Sequence, residues 1–126
     1  VSRGLGDVYK RQDLRMENEQ QIANLKKVIT YIMEHYDADM RLNELACLVN
    51  MNPQYFCRYF KKNIGKTITE YINDVRIEKA AQALAETNDK IIDIAQNCGY
   101  ENVSYFIRRF RRTKGMTPVQ YREMSK

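Results

Sequence analysis

No apolar run in this 126-residue chain approaches the roughly 20 residues that a membrane-crossing helix needs. The N-terminus carries no apolar stretch of the kind found in a signal peptide. Cysteine is scarce. Cys47, Cys57 and Cys98 are an odd number at wide spacings, with no CxxC pair and with His35 as the one histidine. That argues against a disulfide framework or a zinc site and suits a reducing cytoplasm. No paired carboxylates, Ser-His-Asp set or glycine-rich phosphate loop stands out. An enzymatic reading therefore has no residues to act through, and no catalytic residue, metal or cofactor is expected.

What the chain does hold is a sufficient apolar share and an uneven charge. Hydrophobic residues make up 44%, enough to build a core in one domain or in two small lobes sharing a helix. The formal net charge is +5. From Val1 to Gly99, 14 basic residues cancel 14 acidic ones, whereas from Tyr100 to Lys126 there are 7 basic and 2 acidic residues. A basic excess confined to one end points to a polyanionic partner there, nucleic acid or an anionic membrane surface.

The lead, Val1 to about Gln12, has two glycines and no clear period or cap. It reads as a cloning remnant or a disordered lead, and residues 1–16 are left out of the fold argument. From about Glu17 to Tyr36, Ile22, Leu25, Val28, Ile29, Ile32, Met33 and Tyr36 make one apolar helical stripe. His35 sits near its end, where a positive charge suits the helix dipole. Leu42, Leu45, Ala46 and Val49 mark a short helix, which Asn50 can end by adopting left-handed backbone. Asn52-Pro53 restarts the chain as cap and first helical position. The helix that follows carries Phe56, Tyr59, Phe60 and Ile64 inward and is stopped by Gly65. Two short helices joined this closely form a helix-turn-helix.

A long helix then runs from Thr67 to about Glu86, with Thr67 and Glu70 read as a capping box. At 1.5 Å per residue it is about 28 Å long. Its apolar positions are Ile68, Tyr71, Ile72, Val75, Ala80, Ala83 and Leu84. Ile91, Ile94, Ala95 and Cys98 mark another short helix closed by Gly99. Asn102 caps a basic helix that contains Phe106 and Phe110 and ends at Gly115, and Thr117-Pro118 starts the last helix.

These features repeat. Ala46 matches Ala95 and Asn50 matches Gly99 at an offset of 49; Phe56, Phe60, Lys61, Lys62, Gly65, Thr67 and Tyr71 match Phe106, Phe110, Arg111, Arg112, Gly115, Thr117 and Tyr121 at an offset of 50. The second turn is thus one residue longer. The expected architecture is all-α, about seven helices, with two helix-turn-helix subdomains joined by a long central helix: residues 17–66, a linker helix 67–87, and residues 88–126. Successive major-groove faces of B-DNA lie about 34 Å apart, the scale of that linker.

The stretches LNELACLVNMNPQYFCRYFKKNIGKTITEYINDVRIEKAAQAL and DIAQNCGYENVSYFIRRFRRTKGMTPVQYR resemble the DNA-binding domain of the AraC/XylS family of bacterial transcription regulators. The resemblance covers about Asn24 to Arg122. It implies a cytoplasmic, sequence-specific regulator whose partner is double-stranded promoter DNA, with RNA polymerase as a further partner. By position, Gln54, Cys57 and Arg58 would face bases in one groove, and Ser104, Ile107 and Arg108 in the next. Lys61, Lys62, Lys66, Arg111, Arg112 and the amides after Asn52 and Asn102 would meet phosphates. The family usually carries an effector or dimerisation domain on the N-terminal side, expected to lie outside this chain, which is then a fragment or a stand-alone regulator.

The rival readings are plainer. A basic helix often only faces water, and a helix-turn-helix scaffold can serve as a protein-interaction module without specific DNA binding. A third reading makes the chain the DNA-contacting part of a larger enzyme. The four Phe are expected in the core rather than as base-stacking platforms, Tyr71 and Tyr121 are expected to be structural, and Cys47 and Cys98 are expected to be small core residues.

Overall fold

The computed structural model describes the backbone of residues 2–126 and the side chains of residues 18–126. Among these residues there are seven helices and no strand: α1 Ser2–His35, α2 Leu42–Leu48, α3 Pro53–Ile64, α4 Ile68–Glu86, α5 Ile91–Asn97, α6 Val103–Lys114 and α7 Pro118–Met124. The all-α, two-lobe expectation holds, and the limits of α2 to α7 lie close to those read from caps and periods.

The caps explain the boundaries. Asn52 accepts the Tyr55 amide at 2.8 Å and Asn102 accepts the Tyr105 amide at 3.0 Å, so α3 and α6 begin alike. Both end on left-handed glycines, Gly65 at φ 85° and Gly115 at φ 75°. Asn50 closes α2 at φ 55°, as glycine does elsewhere.

Each lobe has its own core. Val28, Ile32, Leu45, Ala46, Phe56, Tyr59 and Phe60 bury together with Ile68 and Val75 of α4. Ile94, Ala95, Cys98, Tyr100, Phe106 and Phe110 bury with Ile77, Ala80, Ala81 and Leu84 of the same helix. The long helix therefore gives its N-terminal half to one lobe and its C-terminal half to the other. All four Phe are fully buried, which fixes them as core.

Some expectations fail for identifiable reasons. Cys47 is exposed, because it is the counterpart of exposed Gln96, whereas Cys98 is the counterpart of buried Val49. Ile22 and Met33 are exposed, since the first lobe covers only a narrow stripe of α1 along Leu25, Val28 and Ile32. Thr67 accepts the Glu70 amide at 3.1 Å, but the return bond of a box forms at Thr117–Gln120 instead. Glu70 lines a cavity with Lys66, Arg109 and Arg112. Ile77, fully buried, lies off the stripe read from sequence because it faces the second core.

The helix α1 starts within the lead that the pattern sets aside. Once a helix is nucleated, each further residue adds a hydrogen bond, and the lead has no proline to stop it. The expectation for the lead itself falls on side chains outside those described.

Candidate nucleic-acid interface

The two capped, glycine-stopped helices α3 and α6 present matching outer faces. On α3, Gln54 and Arg58 are exposed and Cys57 is half-buried between them. On α6, Ser104, Ile107 and Arg108 are all exposed. Each set spans positions i, i+3 and i+4, one continuous helical face opposite the buried Phe pair. The inner pairs match as well: Phe56–Phe60 ring centroids lie 6.0 Å apart and Phe106–Phe110 5.8 Å apart. The core thus orients the two outer faces in the same way.

The basic residues sort into two groups. Lys61, Lys62, Arg111 and Arg112 are exposed at the C-terminal ends of α3 and α6. Lys66, in contrast, is held by Asp74 at 2.5 Å, and this bond raises its pKa. Lys114 is tied to Glu78 of α4. Lys66 is therefore already paired with a carboxylate, which weakens its pull on a phosphate.

The helix starts differ in donors. Asn52 and Asn102 each occupy one amide with a side-chain cap, so both asparagines act on backbone. Pro53 has no N–H at the start of α3, whereas Val103 keeps its amide at the start of α6. The second helix start thus has the larger set of anion-facing amides.

Two exposed tyrosines escaped the sequence reading. Tyr55 (49% exposed) and Tyr105 (39% exposed) sit at matched positions beside the Arg of each face. The Arg108 guanidinium lies 5.9 Å from the Tyr105 ring centroid, a cation–π contact that restricts its rotamers. Tyr55 instead stacks on Tyr59 at 6.4 Å, and the Tyr59 hydroxyl donates to the Gln21 carbonyl at 2.5 Å. The signal was present, since the two tyrosines share the offset of 50. Their exposure was hidden because the neighbouring aromatics are core.

Arg109 is a further cation on α6, turned towards α4. Its Nε is buried without a hydrogen-bond partner among the described residues. It lines the cavity shared with Lys66, Glu70, Asp74 and Arg112.

Comparison with known proteins follows the same outline. Residues 45–124 match the family described as a helix-turn-helix domain. The bifunctional transcriptional activator/DNA repair enzyme AdaA of Bacillus subtilis is 38% identical over 99 residues, covering 79% of this chain and 47% of its own. The C-terminal domain of AraT, a response regulator from Geobacillus stearothermophilus, superposes with a TM-score of 0.76 at 31% identity, covering 80% of this chain and 84% of that one. A transcriptional regulator of Chromobacterium violaceum, described as AraC-type DNA-binding domain-containing, has the same fold with a TM-score of 0.76 at 21% identity, over 82% and 92% of the two chains. The chain spans less than half the length of the curated relatives it matches.

Proposed function

Given that the chain belongs to the AraC-type helix-turn-helix family, we propose that it is a sequence-specific DNA-binding module of a bacterial transcription regulator, with α3 and α6 seated in successive major grooves of one duplex. The observation that carries this reading is the duplication itself: two capped basic helices with polar faces at the same register and core pairs in the same geometry. A chain with two such helices needs no second copy to span one helical turn of DNA.

In this reading Gln54, Cys57 and Arg58 face bases in the first groove. Arg58 suits guanine and Gln54 suits adenine, each in bidentate geometry. Ser104, Ile107 and Arg108 face the second groove, with Ile107 against a thymine methyl and Arg108 preset by Tyr105. Lys61, Lys62, Arg111 and Arg112, with the amides beyond Asn52 and Asn102, hold phosphates and set register. Lys66 joins them by exchanging Asp74 for a phosphate. Residues 17–66 and 88–126 act as the two reading lobes and residues 67–87 as their spacer. Binding at promoters brings RNA polymerase within reach as a second partner, and the reading makes the chain cytoplasmic.

The test is selection of bound sequences from a random duplex pool at about 150 mM salt, where non-specific affinity is already weakened. Enrichment of a bipartite motif with halves about 10 bp apart supports the reading. Salt-sensitive binding with no enrichment at all overturns it and favours an interaction module.

A further inference from the structure

The duplication changes length at one place, and there the second lobe meets the end of α1. The first turn passes from Asn50 through Met51 to Asn52, and the second from Gly99 through Tyr100 and the additional Glu101 to Asn102. Tyr100 is 4% exposed, its ring at the centre of the junction. Its hydroxyl donates to Asn73 Oδ1 at 2.7 Å, and Asn73 in turn donates to the Thr69 carbonyl at 3.0 Å. Asn73 is the one buried polar residue among those described. A buried, satisfied polar pair of this kind specifies a single arrangement more than it adds stability.

Arg76 completes the junction from the middle of α4. Its Nε donates to the Tyr36 carbonyl at 2.7 Å and its Nη2 to the Ala38 carbonyl at 2.9 Å. Those carbonyls lie just past α1, at the negative end of its dipole. The guanidinium carbon also lies 5.5 Å from the Tyr100 ring centroid. One side chain thus grips the end of α1 in the first lobe and the turn of the second. A planar fork with two aimed donors and a stacking face can do this, and a lysine cannot.

The glycine asymmetry of the repeat has the same origin. A Cβ on Gly99 would lie 2.9 Å from the Tyr36 carbonyl oxygen and 3.1 Å from Arg76 Cζ. Its counterpart Asn50 has an exposed side chain at a similar left-handed φ of 55°. Only the turn pressed against the other lobe requires a bare backbone.

We propose that Arg76 and Tyr100 are positioning residues that fix the lobe-to-lobe geometry and so set the half-site spacing and phase that this protein accepts. The proposal rests on the DNA-binding reading above for its consequence, though not for the lock itself. Two reading modules on one chain gain avidity only when both seat at once. One base pair of spacer turns a half-site by about 35° around the duplex. Rigid lobes therefore reject an altered spacer, and loosened lobes tolerate it.

The lock is tested without DNA by electron–electron distance measurement. Spin labels go on Glu44→Cys of α2 and Asp93→Cys of α5, in a Cys47→Ser, Cys57→Ser background. The parent gives one narrow distance distribution. Arg76→Ala and Arg76→Lys each widen it at least about twofold with helicity retained, as expected of two linked modules released from a fixed geometry. Should Arg76→Ala lose helicity, Tyr100→Phe carries the test, because it removes only the bond to Asn73. Distributions as narrow as the parent's in the folded variants overturn the lock.

The consequence is read on duplexes carrying two half-sites. The unmodified protein loses about tenfold or more in affinity when the spacer changes by one base pair, and Arg76→Ala loses less than about threefold while keeping its affinity for a single half-site. Undiminished spacer discrimination in Arg76→Ala overturns the proposed role. A protein that fails to select any duplex sinks the DNA-binding reading and leaves the distance measurement to decide the lock.

Discussion

Phe110 meets Tyr121 edge-on, with ring centroids 5.4 Å apart at 81°, and Phe60 meets Tyr71 in the same manner at 5.5 Å and 76°. Each pair ties a basic-faced helix to the helix that follows it, α6 to α7 and α3 to α4. Edge-to-face contact is one of the preferred aromatic geometries, and here it packs each basic-faced helix against its successor.

Removing one such ring should damage one lobe first. Phe110→Ala is expected to cost about 3–5 kcal/mol, the usual range for a fully buried Phe. Hydrogen exchange should show amides of α5 to α7 losing protection while α2 and α3 keep theirs, because the two cores are separate clusters. Equal loss in both lobes would mean that they fold as one unit.

The proposed base and phosphate roles should separate under substitution. Arg108→Ala is expected to cost about 1–3 kcal/mol on the preferred site and to relax choice at one position. Lys62→Ala is expected to weaken all sequences alike and to lower the salt slope by about one. Titration of both variants on preferred and scrambled duplexes checks this. Equal losses for Arg108→Ala on the two duplexes would remove it from base reading.

Much of the fold was legible because the sequence states it twice. Asn52 and Asn102, Gly65 and Gly115, and the four Phe gave α3 and α6 their limits and their inner faces. What remained hidden depended on contacts between distant segments. Tyr36 and Arg76 are 40 positions apart, and no local period marks a bond between them. Cys47 was read onto an inward stripe, but it is exposed, because a seven-residue helix leaves its face ambiguous. Tyr55 and Tyr105 were not singled out, since residue type does not report exposure.

Alkaline pH should destabilise the fold through the second lobe. Burial pushes the Cys98 thiol from its ordinary 9.0 up to about 11, with Asp37 adding to the effect and Arg76 opposing it. Burial likewise raises the Tyr100 phenol. The unfolded chain then releases these protons at lower pH than the folded one. The stabilising contribution is complete below about pH 9 and is lost as pH climbs towards 11. Urea midpoints should stay level to about pH 8.5 and fall beyond it, and Cys98→Ala should reduce that slope. An unchanged slope in the variant would rule the thiol out.

The glycines should differ in their tolerance. Gly65 has left-handed backbone but open space around its Cβ position, so Gly65→Ala carries only the strain of φ 85°, about 1–2 kcal/mol. Gly99→Ala adds a clash with the Tyr36 carbonyl to a φ of 98° and should cost clearly more. Thermal unfolding of the two variants orders them, and equal shifts would contradict the crowded junction.

The most direct test of the whole account is a hydroxyl-radical footprint of the chain on a sequence selected from the random pool. Two recognition helices on one face predict two protected patches on the same side of the duplex, centred about 10 bp apart, from a single bound chain. One protected patch, or two patches that appear only when a second chain binds, would contradict the claim that both lobes of one molecule read adjacent grooves.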